Sequence, residues 1–490
     1  MAESRLNPRE QARLEEKKKS SKVRNRYILF GVLILVMLLL VVFVNSRLFT
    51  DGLPALKVGD EKFTVADVNY EYRKSYMQVA QSSNNIVSMF IDSDQPLSEQ
   101  SCPIDPDCET WDDYFKKIAE NNLKEGAAIY KAAREAGYTL TEEEQKDIDS
   151  TIEQYAAYGS IYGYPNVNGY LAAMFGPGNN ETTVRRNMAR EIIIDRYLQD
   201  VYDAGEYTDA ELDAYYDEHA DDFDKVNVLY VYLTGDDAEA KAKQIVSESA
   251  DGTAEAFRAA VTETAETEAT ENSYTVTSFL GQYGEAITRE EIAPGKTFVR
   301  STDAGSYAVY ITGTEDNHYN TVSVRHILVK AQDTDGDGTY SDKELEVAYN
   351  AVKAIEDEWL AGEKTEDSFA ALATLRTEDQ GSAEKGGLYE DIHKGQMVSG
   401  FEDFCFAGHQ KGDYDIVLGS SDAYTGYHLI YFVGADGELY SRTLAEEDMR
   451  SEAYNDAVAK LVEGYEAQRT WMWRYVKEWN TSSKNRNRDY

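Results

Sequence analysis

Two histidines stand on strand faces that are otherwise apolar. In VSVRHILV (322–329) one face carries Val322, Val324, His326 and Leu328, and in YHLIYFV (427–433) one face carries His428, Ile430 and Phe432, because side chains alternate along a strand. Either alone reads as a core histidine bonded to a backbone carbonyl. Two on corresponding faces predict a His–His hydrogen bond, since neutral imidazole donates from one nitrogen and accepts at the other. A second constellation follows the first strand. Asp333 to Glu344 reads D-x-D-x-D-G-x5-E, the spacing of an EF-hand calcium loop. Asp333, Asp335, Asp337, Ser341 and Glu344 fall at ligand positions, Thr339 supplies a backbone carbonyl, and Gly338 sits where the turn is sharp. The pattern predicts Ca²⁺ as a structural clip, with a solvated acidic turn as the alternative. A lone loop without a paired partner predicts weak affinity, which extracellular calcium of roughly 10⁻³ M would satisfy.

The elements that must position these residues recur. VNVLYVYL (226–233) aligns with VSVRHILV, and GSYAVYITG (305–313) with GYHLIYFVG (426–434), placing Tyr230 opposite His326 and Tyr307 opposite His428. This is an internal repeat whose first copy lacks the imidazoles, and residues 225–316 and 321–436 read as two related domains. The calcium-type loop enlarges the second copy.

Residues 46–222 read as mainly helical. A short strand, a turn and a helix capped by Thr64 come first, and Thr141/Glu144 and Thr208/Glu211 have capping-box spacing. Residues 443–480 read as one long amphipathic helix or two that complete this region, and 481–490 as a disordered tail. Residues 27–45 contain an apolar run of 18 residues, Tyr27 to Val44, about 27 Å as a helix and close to a bilayer core. The tail 1–26 carries nine Lys/Arg and four Asp/Glu. That asymmetry predicts a single-pass anchor with the N-terminus cytoplasmic and the bulk extracellular, a cleaved signal peptide with secretion being the alternative. The whole chain has a net charge of −40, which argues against nucleic acid as a partner. Cys102 and Cys108 bracket PIDPD and could close a small loop, while Cys405 reads as a buried small residue.

RHILVK, FAALATLRTEDQGSAEKGG, KGQMVSGFEDFCF, GDYDIV and TGYHLIYF, in this order, resemble parvulin-type peptidyl-prolyl cis-trans isomerases. The layout as a whole resembles exported foldases of the PrsA and SurA type. The resemblance implies an α+β chain: one N-terminal transmembrane helix, a helical chaperone domain, and two parvulin-like domains, each a small antiparallel sheet surrounded by helices, the first degenerate. It implies that His326 and His428 underlie an active site, that Asp379 lies near the substrate amide, and that Thr425 occupies a usual Ser/Thr position. Met397 and Phe401 would clamp the proline ring, and Leu388 or Tyr389 would fill the pocket wall where the family usually has Leu. No cofactor is implied for catalysis. The acidic loop would repel a phosphate ligand. Partners would be unfolded or newly exported polypeptides containing proline, with a non-catalytic holdase as the alternative function.

Overall fold

The computed structural model describes residues 32–38, 52–81, 90–92, 94–249 and 252–478. The expected tails at 1–26 and 481–490 lie outside them. Of the apolar run 27–45, only 32–38 is described, as helix. Among the described residues no helix is long and apolar enough to cross a membrane. The chain divides into two compact units, residues 1–205 with 451–490, and residues 206–450.

The first unit opens on a hairpin, β1 (Pro54–Val58) and β2 (Glu61–Thr64), followed by α1 (Val65–Gln81). Thr64 caps α1: its Oγ1 accepts from Asp67 N at 3.3 Å, and Asp67 Oδ2 accepts from Thr64 N at 2.8 Å. Helices α2 (Trp111–Glu135), α3 (Glu142–Ile161), α4 (Val167–Phe175) and α5 (Glu181–Asp203) follow. The expected Thr141/Glu144 box caps α3. Cys102 and Cys108 are both free thiols, and Lys117 ties their loop by pairing with Asp105 and Asp107.

The second unit begins with α6 (Asp209–Phe223), capped by the Thr208/Glu211 box. This corrects the expected boundary at 222. Leu212 and Tyr216 bury against Ala445, and Arg442 pairs with Asp213 at 2.7 Å, so α6 packs with the residues after it. Next come β3 (Lys225–Leu233), α7 (Ala238–Glu248), α8 (Ala254–Ala265), β4 (Thr270–Thr275), α9 (Val276–Tyr283), β5 (Thr297–Thr302) and β6 (Gly305–Glu315). The same series is repeated by β7 (Val322–Lys330), α10 (Asp342–Ala361), α11 (Glu366–Arg376), β8 (Leu388–Ile392), α12 (Ser399–Cys405), β9 (Tyr414–Ser421) and β10 (Tyr424–Gly434). The two four-stranded sheets share one topology, β4-β3-β6-β5 and β8-β7-β10-β9.

Register repeats as well. Tyr230 faces Val309 and Tyr232 faces Tyr307; His326 faces Ile430 and Leu328 faces His428. In the second sheet Ile327, Leu429 and Tyr431 pack under α10 and α11, while Val324, Ile430 and Phe432 pack against α12. The histidines lie on the α12 face.

Helix α13 (Tyr440–Val462) stops well short of the expected residue 480. Gly464 takes a left-handed φ of +77°, a conformation glycine adopts without steric cost. The chain then forms β11 (Ala467–Arg469) along the free edge of β1, giving the order β11-β1-β2, and buries Met472 among Leu56, Val58 and Phe63.

Candidate active site

Strands β7 and β10 are central neighbours, so residues on one face sit diagonally within reach. His326 and His428 are 2% and 3% exposed, and their Nδ1 atoms lie 3.1 Å apart. Beyond α11 the chain is pinned alongside β7, where Glu378 N donates to Leu328 O at 2.9 Å and Leu328 N donates to Thr377 Oγ1 at 3.1 Å. That places Asp379 Oδ2 at 3.0 Å from His326 Nε2. Two further hydroxyls reach the same oxygen, Tyr389 at 2.9 Å and Ser382. On the far side, Tyr424 Oη lies 3.1 Å from His428 Nε2.

With both imidazoles neutral, the donor chemistry fixes one direction through this chain. An ionised carboxylate only accepts, so His326 Nε2–H donates to Asp379. His326 Nδ1 is then an acceptor, and His428 Nδ1–H donates to it. His428 Nε2 accepts in turn, and Tyr424 O–H donates. The hydrogen bond from His326 holds the Asp379 carboxyl well below the usual carboxylate range; burial opposes it, and the Ser382 and Tyr389 hydroxyls assist. Burial, then the neighbouring His326, pushes the His428 imidazole down to about 3. Burial and the bond to Asp379 push the Tyr389 phenol up to about 12. The site is a polarised relay ending on one carboxylate, with His428 held neutral by its burial.

Glycines make room for it. Gly387, at φ +72°, lies so close to β7 that a Cβ would meet the His326 carbonyl at 2.2 Å, and His326 N donates to Gly387 O at 2.8 Å. A Cβ at Gly419 would sit 2.7 Å from His428 Nε2.

Around the relay, Phe401 stands edge-on to both imidazoles, its centroid 5.4 Å from His326 and 5.2 Å from His428. It is only 2% exposed, so it lies beneath the site and is not an open clamp. Met397 is half-buried against the same cluster. Tyr389 pairs with Val324, on the histidine face, and its ring stacks on His326 at 5.2 Å. Leu388 pairs with Arg325 and so points to the opposite face, which removes it from the expected pocket wall. Thr425 is also off the relay. It pairs with Ser420, and its Oγ1 lies 2.7 Å from Ser420 Oγ. Ser382 and Tyr424 are the site residues that sequence reasoning missed. Cys405, the last residue of α12, is buried, and burial pushes its thiol up to about 12.

In the acidic loop, the carboxylates of Asp333, Asp335 and Asp337 converge within 4.8 Å, a donor set that fits a hard cation. Glu344 does not join them. Its Oε1 accepts from Thr334 N and Oγ1, both at 2.6 Å, and its Oε2 accepts from Ser341 N and Oγ at 2.9 and 2.8 Å. These bonds cap α10 and push the Glu344 carboxyl down to about 2. Ser341 is thereby committed to Glu344, and Thr339 Oγ1 donates to Asp337 at 2.7 Å. Ligation by Glu344 or Ser341 would require them to leave each other.

Residues 307–434 match the family model of the PPIC-type PPIASE domain. Among solved structures, NmPin, the parvulin of Nitrosopumilus maritimus, is 31% identical over 24% of this chain and 97% of that one, with a TM-score of 0.17. PrsA from Bacillus subtilis is 14% identical over 73% and 89% of the two chains, with a TM-score of 0.29. A structure of the Campylobacter jejuni SurA-like chaperones PEB4 and Cj1289 is 12% identical over 66% and 82%, with a TM-score of 0.14. No curated protein sequence matches.

Proposed function

We propose, on the premise that this chain belongs to the parvulin family through its PPIC-type domain, that it is a foldase whose residues 321–436 catalyse cis–trans rotation of X–Pro bonds in client polypeptides. The observation that carries this reading is the one-way relay from Tyr424 through His428 and His326 to an ionised Asp379. Rotation about an amide is slow because resonance places partial negative charge on oxygen and double-bond character in C–N. A fixed carboxylate beside the carbonyl disfavours that charge-separated planar form and so lowers the cost of twisting. The donors on Asp379 hold its charge in place, and the buried histidines set their polarity. Met397 and the Tyr389 ring, both half-buried, would meet the proline ring.

The first repeat carries Tyr230 and Tyr307 at the equivalent positions, with centroids 6.2 Å apart, and is read as catalytically silent. The holdase alternative draws on one observation, the near-complete burial of Phe401, which leaves a shallower apolar surface than an open clamp would.

Further parts of the reading are that the run 27–45 anchors the chain with its bulk outside the cytoplasmic membrane, and that the three converging aspartates hold a structural Ca²⁺. Two-dimensional NMR exchange on a proline peptide, with wild type and Asp379→Asn, tests the catalytic reading. Exchange that is equally fast in both removes Asp379 from the mechanism. No acceleration by wild type, together with suppressed aggregation of an unfolded client, selects the holdase.

A further inference from the structure

The helical unit contains a cleft of about 220 Å³ between α1, α2 and α5. Its floor is polar and buried: Tyr70, Glu71 and Asn187 are 6%, 8% and 9% exposed. Glu71 accepts from Asn122 Nδ2 at 2.8 Å, whereas the buried Nδ2 of Asn187 has no hydrogen-bond partner among the described residues. The walls are Leu123, Ile194 and Leu198, and the exposed rim carries Glu125 and Asp195.

Charge in the cleft is unbalanced. Asp67, Glu71, Glu125, Glu191 and Asp195 line it beside only two cations, Lys74 and Arg190. Both cations are committed, Lys74 to Glu191 at 3.0 Å and Arg190 to Glu61, and Asp67 takes Arg186 at 2.6 Å. Glu125 and Asp195 have no cation within ion-pair reach among the described residues. Burial also raises the Glu191 carboxyl despite its lysine.

The cleft thus offers carboxylates to a cationic head, apolar walls to a stem, and the Asn187 amide to an acceptor oxygen. A metal ion or a polyamine has no acceptor oxygen, and an anion is repelled. A lysine or arginine within a polypeptide has all three: the charge, the methylene stem and the backbone carbonyl. We infer that this cleft binds a basic side chain of a polypeptide segment, the carboxylates taking its head and Asn187 the carbonyl. The site lies outside the isomerase domain and does not rest on the reading of that domain as a catalyst.

Fluorescence anisotropy on the full chain tests this with a labelled, proline-free peptide carrying one central arginine, and with its citrulline twin, which keeps the shape and loses the charge. The arginine peptide is expected to bind about tenfold tighter. The exposed pair Glu125→Gln with Asp195→Asn, which does not disturb the core, is expected to weaken it about fivefold, and Asn187→Leu to weaken both peptides. NMR exchange on a separate proline peptide reports the catalytic reading independently. A chain that turns over no proline peptide yet prefers arginine to citrulline still supports the inference. Equal affinity for the two peptides overturns it. So does free argininamide competing at the same concentration as the peptide, or Asn187→Leu that raises the melting temperature and leaves both affinities unchanged.

Discussion

If His428 is held neutral by burial, catalysis should ignore the pH range in which ordinary histidines titrate. A free imidazole with a pKa of about 6.5 is about 97% protonated at pH 5, so a rate that needed it neutral would fall about thirtyfold between pH 8 and pH 5. With His428 pushed down to about 3, its protonated fraction at pH 5 is about 1%, and the rate on a proline peptide should stay flat to within experimental error. Stability behaves differently. The unfolded chain offers this imidazole an ordinary pKa of about 6.5, so on acidification the unfolded state takes the proton first. The contribution of His428 is complete above about pH 6.5 and declines by about 1.4 kcal/mol per pH unit until the folded value is reached. Asp379, depressed in the fold, adds a further decline only in stronger acid, below its ordinary value. From pH 6.5 to 5, the isomerase domain should therefore lose about 2 kcal/mol of stability while its turnover stays constant. NMR exchange at matched temperatures gives the rate, and urea unfolding at each pH gives the stability. An acid limb in kcat/KM with a midpoint between pH 6 and 7 would refute the assignment of a buried, permanently neutral His428.

Asp379→Asn keeps the volume and removes the acceptor charge of the relay. With bonds to a charged group worth about 1 kcal/mol more than neutral ones, and three donors on a partly exposed carboxylate, a loss of about 2 kcal/mol and roughly thirtyfold in kcat/KM is expected by NMR exchange. Tyr389→Leu should change kcat/KM by several-fold with the residue preceding proline, while Leu388→Ala, on the opposite face, should leave that preference unchanged when a peptide series is assayed. Gly419→Ala places a methyl 2.7 Å from His428 Nε2 and 2.8 Å from Val398 Cγ2; overpacking of this kind costs about 1–3 kcal/mol, read as a lower melting temperature of the domain together with reduced turnover. Millimolar Ca²⁺ should raise the melting temperature of the wild type and not that of Asp335→Asn, and calorimetric titration that detects no binding would dismiss the calcium reading of 333–337.

The strand period explains both what was legible in this sequence and what was misjudged. Lone polar residues on apolar faces exposed His326 and His428, because alternation assigns faces without knowledge of the fold. The same rule separates Tyr424 from Thr425. Tyr424 is four residues before His428 and shares its face, whereas Thr425 is three before and does not, so the hydroxyl on the relay was recoverable from spacing alone. Leu388 and Tyr389 could not be separated this way, since the choice depends on how β8 registers against β7. Ser382 was illegible for a different reason: a serine in a turn is ordinary, and only the return of the chain beneath β7 brings its hydroxyl to Asp379. The end of α13 had a local signal in Gly464, but its meaning depended on the free edge of β1, just over four hundred residues earlier.

The two repeats separate the residues that carry the fold from those that form the relay. Both sheets have the same strand order and the same cross-strand register, so apolar alternation on both faces is enough to build the scaffold. Imidazole presents hydrogen-bonding nitrogens on the ring itself, within reach of a diagonal neighbour on the next strand. Phenol presents a single oxygen at the far end of a longer side chain. At the equivalent positions, Tyr230 and Tyr307 therefore meet as tilted rings, and the oxygen contact in their neighbourhood runs instead between Tyr274 and Tyr283 at 3.5 Å. The first copy also passes from α8 to β4 in four residues, 266–269, with no counterpart of the turn that carries Asp379, Ser382 and Gly387 in the second. Replacing its tyrosines would supply the imidazoles and still leave them without an anion to polarise them. The relay therefore depends on the turn between α11 and β8 as much as on the strands, and a sheet of this register is permissive for the site without specifying it.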